Sequence, residues 1–116
     1  MKKELVYLAA PYSHSDPQVK HDRFLAINQT AAKLIREGLF VFSPIPHTHP
    51  IALAGNLPTG WDFWEVYDRI MLSACGSVII LMLDGWQESR GVQAEITIAK
   101  ELGLPISYRE ETWDVH

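Results

Sequence analysis

Four apolar runs that do not alternate with polar residues constrain this chain more than any other feature. ELVYLAA at 4–10, LFVFS at 39–43, SVIILML at 77–83 and LPISY at 104–108 each read as a short strand. A strand that is apolar on both sides needs cover on both sides, as in a parallel sheet. The intervening stretches supply the cover. Across 17–37, Phe24, Ile27, Ala31, Leu34 and Ile35 recur at helical spacing, and Gly38 is placed to stop the helix. Residues 61–74 carry Trp64, Tyr67, Met71 and Ala74 on one stripe, and 90–102 carry Ala94, Ile98, Ala99 and Leu102 ahead of Gly103.

This order predicts an α/β fold, a three-layer doubly wound parallel sheet of flavodoxin or Rossmann type. Four to five strands with helices on both faces are expected. A length of 116 residues allows one domain, 1–116, with a single core. A formal charge of -4, with no dense Lys/Arg cluster, argues against a nucleic-acid polymer as partner. The single Cys75 makes no internal disulfide, which suits a reducing compartment. The N-terminal MKKELVYLAAPY is too short in its apolar part for a secretory signal, and Pro11 breaks it. No stretch reaches the length of a membrane span, so the expected location is the cytoplasm, without membrane association.

Residues 44–60, PIPHTHPIALAGNLPTG, hold four prolines and two glycines and read as an irregular loop. A loop that long in a small domain usually has a function. In doubly wound sheets ligands bind beyond the carboxyl ends of the strands, where strand order reverses. Three segments begin there: 11–16, 44–60 and 84–89.

The last of these runs into Ser89-Arg90-Gly91. Ser89 stands at a helix N-cap position, and the same geometry aims amide donors at any phosphate or carboxylate outside the strands. Gly91 removes a side chain one turn before Glu95. Glu95 borders the apolar stripe, so a solvated Glu paired with Lys100 or Arg90 stands against a carboxylate nucleophile favoured by the helix start. Such nucleophiles belong to glycosyl transfer, which uses a second carboxyl group. Asp68 is a candidate for it, although spacing alone does not separate it from Asp62, and Glu65–Arg69 reads as a surface pair. Tyr7, in the first strand, is either core or a group that orients a carboxylate. His47 and His49 would face the same way on an extended segment, but no third ligand follows at matching spacing, so no metal is expected. Cys75 reads as core. Trp61 and Trp86 flank the loops and could stack on a planar ring.

VYLAAPYS near the N-terminus, Asp68 ahead of the third strand and SRGVQAEITIAKELGLPI together resemble the nucleoside 2-deoxyribosyltransferase superfamily. The Ser-x-Gly-x-x-x-Glu spelling is similar to its 2'-deoxynucleoside 5'-phosphate N-hydrolases. PYSH at 11–14 and GWQESRG at 85–91 resemble most the small DUF1937 group of that superfamily. The resemblance implies Glu95 as nucleophile on the anomeric carbon, Asp68 handling protons or the sugar, and Tyr7 holding Glu95. It implies Ser89 and Gly91 at a 5'-phosphate, with Tyr12 and Ser13 lining the site. Members commonly have Gly where this chain has Thr97, and the transferases run on beyond the position of His116. Hydrolysis of a nucleoside 5'-monophosphate, without cofactor, is therefore expected ahead of transfer. The rival is a binding module that keeps the pocket without turnover.

Phe63 and Trp64 point about 100° apart on a helix, so one sheet face cannot hide both. A homo-oligomer with helix 61–74 at the contact is the corresponding expectation, and the superfamily resemblance implies the same.

Overall fold

The computed structural model describes residues 4–58 and 60–111. Eight elements follow in chain order: β1 Leu5–Ala9, α1 Pro17–Arg36, β2 Phe40–Phe42, α2 Pro44–Gly55, α3 Trp61–Ser73, β3 Ser77–Leu81, α4 Arg90–Glu101 and β4 Ile106–Arg109. The four strands are all parallel, in the order β2-β1-β3-β4. This is the expected α/β architecture with four strands. From β1 the chain steps outward to β2, and from β3 it steps the other way to β4. Strand order therefore reverses between β1 and β3, and a crevice opens at their carboxyl ends.

Alternate side chains of β1 and β3 build two cores. Val6, Leu8 and Ala10 meet Ile79 and Leu81 beneath Ala26, Ile27 and Leu34 of α1. Tyr7 and Ala9 meet Val78 and Ile80 beneath Leu72 of α3 and Val92, Ile96 and Ala99 of α4. Helices thus cover both faces, α1 on one and α3 with α4 on the other. Asp16 caps α1 by accepting from the Gln18 amide at 2.9 Å, with Pro17 in the first turn. Ile35, expected in the buried stripe, is 57% exposed, because Leu34 beside it takes the inward position. Leu102, expected in the stripe of α4, is an exposed C-cap residue.

The largest departure from expectation is α2. Residues 44–55 are helical, although four prolines in 44–60 argued for an irregular loop. Pro44 and Pro46 lie in the first turn, where the missing N–H groups have no intrahelical acceptor. Only Pro50 removes an interior hydrogen bond. Burial of Pro44, Thr48 and Ala52, one turn apart, offsets that loss. Asn56, in the left-handed region at φ 53°, ends the helix by donating to Ala52 and Leu53 carbonyls.

Two of the crevice loops are tied together. Arg23 of α1 donates to the carbonyls of Ser13 and Asp84, each at 2.9 Å. Gly85 sits at φ +88°, and a Cβ there would come within 2.8 Å of the Arg23 guanidinium. The glycine allows both the turn and the tether.

Candidate functional site

A cavity of about 770 Å³ opens at the strand-order reversal. Its walls come from the loop after β1, from α2, from the start of α3 and from the start of α4.

Glu95 and Asp68 both line it and both are buried, 5% and 7% exposed. Glu95 lies inside the apolar stripe of α4 with Val92, Ile96 and Ala99, not on its border. Its pairing with Lys100 or Arg90 does not occur; Arg90 reaches across the rim to Asp62 on α3 at 2.6 Å. Below Glu95, the Tyr7 hydroxyl donates to Glu95 Oε2. Tyr7 is fully buried in β1 and tilted against Phe42 of β2. The residues that separate Asp68 from Asp62 are now plain. Asp68 faces inward with Leu72 one turn on, whereas Asp62 is exposed with its cation. Glu65 and Arg69 form the expected surface pair at 3.8 Å.

Burial governs the electrostatics here. It pushes the Asp68 carboxyl up to about 7. Burial also pushes Glu95 up, to about 8, and the Tyr7 hydrogen bond opposes that while the charge of Asp68 adds to it. A favourable helix start was expected to keep Glu95 ionised. Desolvation overrides it, because Glu95 lies beyond the first turn of α4, where the dipole acts most strongly. Burial, with Glu95 next, raises the Tyr7 phenol well above its ordinary value, so its proton stays available to donate. Among the described residues, Asp68 Oδ1 has no hydrogen-bond partner. A buried oxygen without a partner is costly.

Beside the carboxyl pair lies the start of α4. Ser89 is its N-cap, its Oγ accepting from the Val92 amide at 3.2 Å. Gly91 also lines the cavity, and a Cβ on it would make ordinary contact with Trp61 at 3.8 Å. Tyr12 and Ser13 line the opposite wall. Trp61 and Trp64 border the cavity, but Trp86 does not. Trp86 packs on the α3–α4 core and against Tyr108, ring centres 5.7 Å apart, because the turn after β3 directs it toward β4.

His49 is the cavity residue that sequence reasoning misplaced. It was weighed with His47 as a metal ligand on an extended segment, and α2 instead turns the two apart. His47 meets Tyr67 at 3.0 Å, whereas His49 Nδ1 bonds the Tyr12 hydroxyl. Among the described residues, no group of three His, Cys, Asp or Glu side chains is arranged to hold a metal ion. Lys20 of α1 lines the cavity as well. Among the described residues no helix is long and apolar enough to cross a membrane.

A family model described as "Domain of unknown function (DUF1937)" matches residues 4–111. No curated protein matches the chain.

Proposed function

The chain belongs to the DUF1937 family, and from that premise and the geometry of the cavity we propose that it hydrolyses the N-glycosidic bond of a nucleoside or deoxynucleoside 5'-monophosphate. One observation carries this reading: two buried carboxyl groups, Glu95 and Asp68, face one cavity while a buried phenol donates to only one of them. A hydrogen bond from Tyr7 favours ionised Glu95. Asp68 has no such donor at Oδ1. Burial makes Glu95 hold its proton the more tightly in the ligand-free protein, about 8 against about 7. We assign the shared proton to Asp68 once substrate is bound. That is the asymmetry required of a nucleophile and an acid in glycoside cleavage.

A Glu95 oxygen bonds to C1' as the C1'–N bond breaks, and its electron pair leaves on the base. Asp68 gives its proton to the base nitrogen or to an atom conjugated with it. Water then attacks C1', Asp68 takes the water proton, and the C1'–O bond to Glu95 breaks. The products are free base and a sugar 5-phosphate. Tyr7 is a positioning residue for Glu95. Ser89, the amides at the start of α4 and the space above Gly91 suit the 5'-phosphate.

Incubation with a panel of ribo- and deoxyribonucleoside 5'-monophosphates, with released base followed by chromatography, tests the reading. A glycosyl adduct on Glu95, seen by mass spectrometry after rapid quenching, is the second expected result. Absence of base release across the panel would sink it.

A binding-only reading has one observation in its favour. Burial pushes both carboxyls towards neutrality, and a neutral Glu95 is no nucleophile. Nucleotide affinity without base release would select that reading.

A further inference from the structure

One wall of the cavity belongs to none of the groups used above. Tyr12, in the loop after β1, bonds through its hydroxyl to Nδ1 of His49 on α2. The imidazole is stacked on Phe24 of α1, ring centres 4.2 Å apart and planes inclined by 29°. Its edge also meets the Tyr12 ring at 5.5 Å. Lys20 of α1 holds its ammonium 5.3 Å from the centre of the Tyr12 ring. Three elements therefore fix one histidine, and Tyr12, Lys20 and His49 line the same cavity as Glu95 and Asp68. A ring held on one face and at one nitrogen is preorganised, as recognition of a specific edge requires.

Burial lowers the His49 pKa, with the charges of Lys20 and His21 adding to the effect, so the ring is neutral. Burial raises the Tyr12 phenol, so its hydroxyl is protonated. Either neutral partner can supply the one hydrogen between them; where the Tyr12 hydroxyl supplies it, the ring carries its own hydrogen on Nε2. His49 then offers a ligand a donor, and Lys20 offers a second. A wall built of donors fits an edge built of acceptors.

We propose that Tyr12 donates to His49 Nδ1, and that the wall so polarised reads the base and selects nucleotides whose base edge carries an exocyclic carbonyl over those with an amino group in its place. The proposal rests on the nucleotide reading of the cavity, and it identifies the substrate class within that reading. Uracil and cytosine nucleotides form the minimal pair, because they differ in a carbonyl against an amino group at one ring carbon and in the protonation of the adjacent nitrogen. An amino group facing the His49 donor leaves two donors opposed without an acceptor, and such mismatches discriminate strongly. Tyr12 acts through His49 as a positioning residue.

The test is calorimetric binding to the Glu95→Gln protein, which cannot turn substrate over. Its ligands are the deoxyuridine and deoxycytidine 5'-monophosphates and 2-deoxyribose 5-phosphate, which lacks a base. The uracil nucleotide should bind roughly tenfold or more tightly than the cytosine nucleotide. Adding His49→Ala should bring that ratio towards one while leaving affinity for the sugar phosphate within about twofold, the change equivalent to ~0.4 kcal/mol. His49→Gln, which keeps an N–H donor, should retain part of the preference. Tyr12→Phe should weaken it, and nitrogen NMR should show His49 leaving the Nε2-protonated tautomer. Equal affinity for the two nucleotides, or a ratio unmoved by His49→Ala, would overturn the proposal. Retained preference in a protein whose wild type releases no base would remove the glycosidase reading and leave the wall standing.

Discussion

The Tyr7 hydroxyl on β1 donates to Glu95 Oε2 on α4, across 88 positions of sequence and beneath the cavity floor. The bond gives Glu95 a fixed orientation in a place where a carboxyl group would otherwise have no polar neighbour below it. It also makes Glu95 part of the core as well as of the site, which sets the terms of the first prediction.

A surface position would make Glu95→Ala nearly silent for stability, about half a kcal/mol. At 5% exposure the expectation changes. Truncation leaves the Tyr7 hydroxyl buried without an acceptor, which costs about 1–3 kcal/mol, and adds a cavity term. Glu95→Gln keeps an acceptor for Tyr7 and should fold as the wild type does. Both variants should lose base release. Urea denaturation together with the base-release assay checks the pair, and turnover by the Gln variant would remove Glu95 from the mechanism.

The raised carboxyls make stability fall as pH rises. For Glu95 and Asp68 the folded values, about 8 and about 7, exceed the ordinary values of 4.5 and 3.8. The folded state therefore holds more protons between those limits, and stability declines from about pH 4 until it levels off above about 8. Each pKa unit corresponds to ~1.4 kcal/mol. Thermal unfolding of the ligand-free protein should show this slope. Glu95→Gln and Asp68→Asn should each flatten it, and an unchanged slope in both would assign it to other groups.

Ser89→Ala should act twice. It removes the acceptor for the Val92 amide, with a stability cost of about 0.5–2 kcal/mol. It also removes a hydroxyl donor to a bound phosphate, worth on the order of 1.5–3 kcal/mol in affinity for a monophosphate and much less for the matching nucleoside. Equal losses for the two ligands would restrict Ser89 to its capping role.

Gly91→Ala separates space from capping. The added methyl meets Trp61 at an ordinary 3.8 Å, so the fold accommodates it. Alanine in a helix is favoured over glycine by up to about 1 kcal/mol. The variant should be as stable as the wild type or more so, yet bind monophosphates more weakly because the methyl enters the cavity. Undiminished affinity would place the phosphate elsewhere.

Phe63, Val66, Tyr67 and Ile70 follow one another along α3 and are 48%, 68%, 38% and 62% exposed. We propose that a second copy of the chain covers this face. Trp64 is half-buried at the cavity edge, so the conflict between Phe63 and Trp64 is met by exposing Phe63. Light scattering at micromolar concentration should give at least a dimer, and Val66→Asp with Ile70→Asp should give monomers. A monomer mass for the wild type would sink this assignment.

The sequence by itself determines structure where local pattern has a single physical meaning. Unalternating apolar runs such as SVIIL require cover on both faces, and helical spacing between them supplies it, so the parallel α/β sheet was legible. Ser89 was legible as a cap because a hydroxyl ahead of a helix meets its own backbone. Tertiary structure decided the rest. The helicity of 44–55 depends on burying Pro44, Thr48 and Ala52, a gain that no local propensity contains. Choosing Asp68 over Asp62 depends on which helix face meets the sheet, and Glu95 became a buried carboxyl only when Tyr7 came beneath it. Outside 44–55, local sequence fixes which element each residue joins. Burial, which sets both the proton affinity of a carboxyl and the partners left to it, arises only between elements distant in the chain.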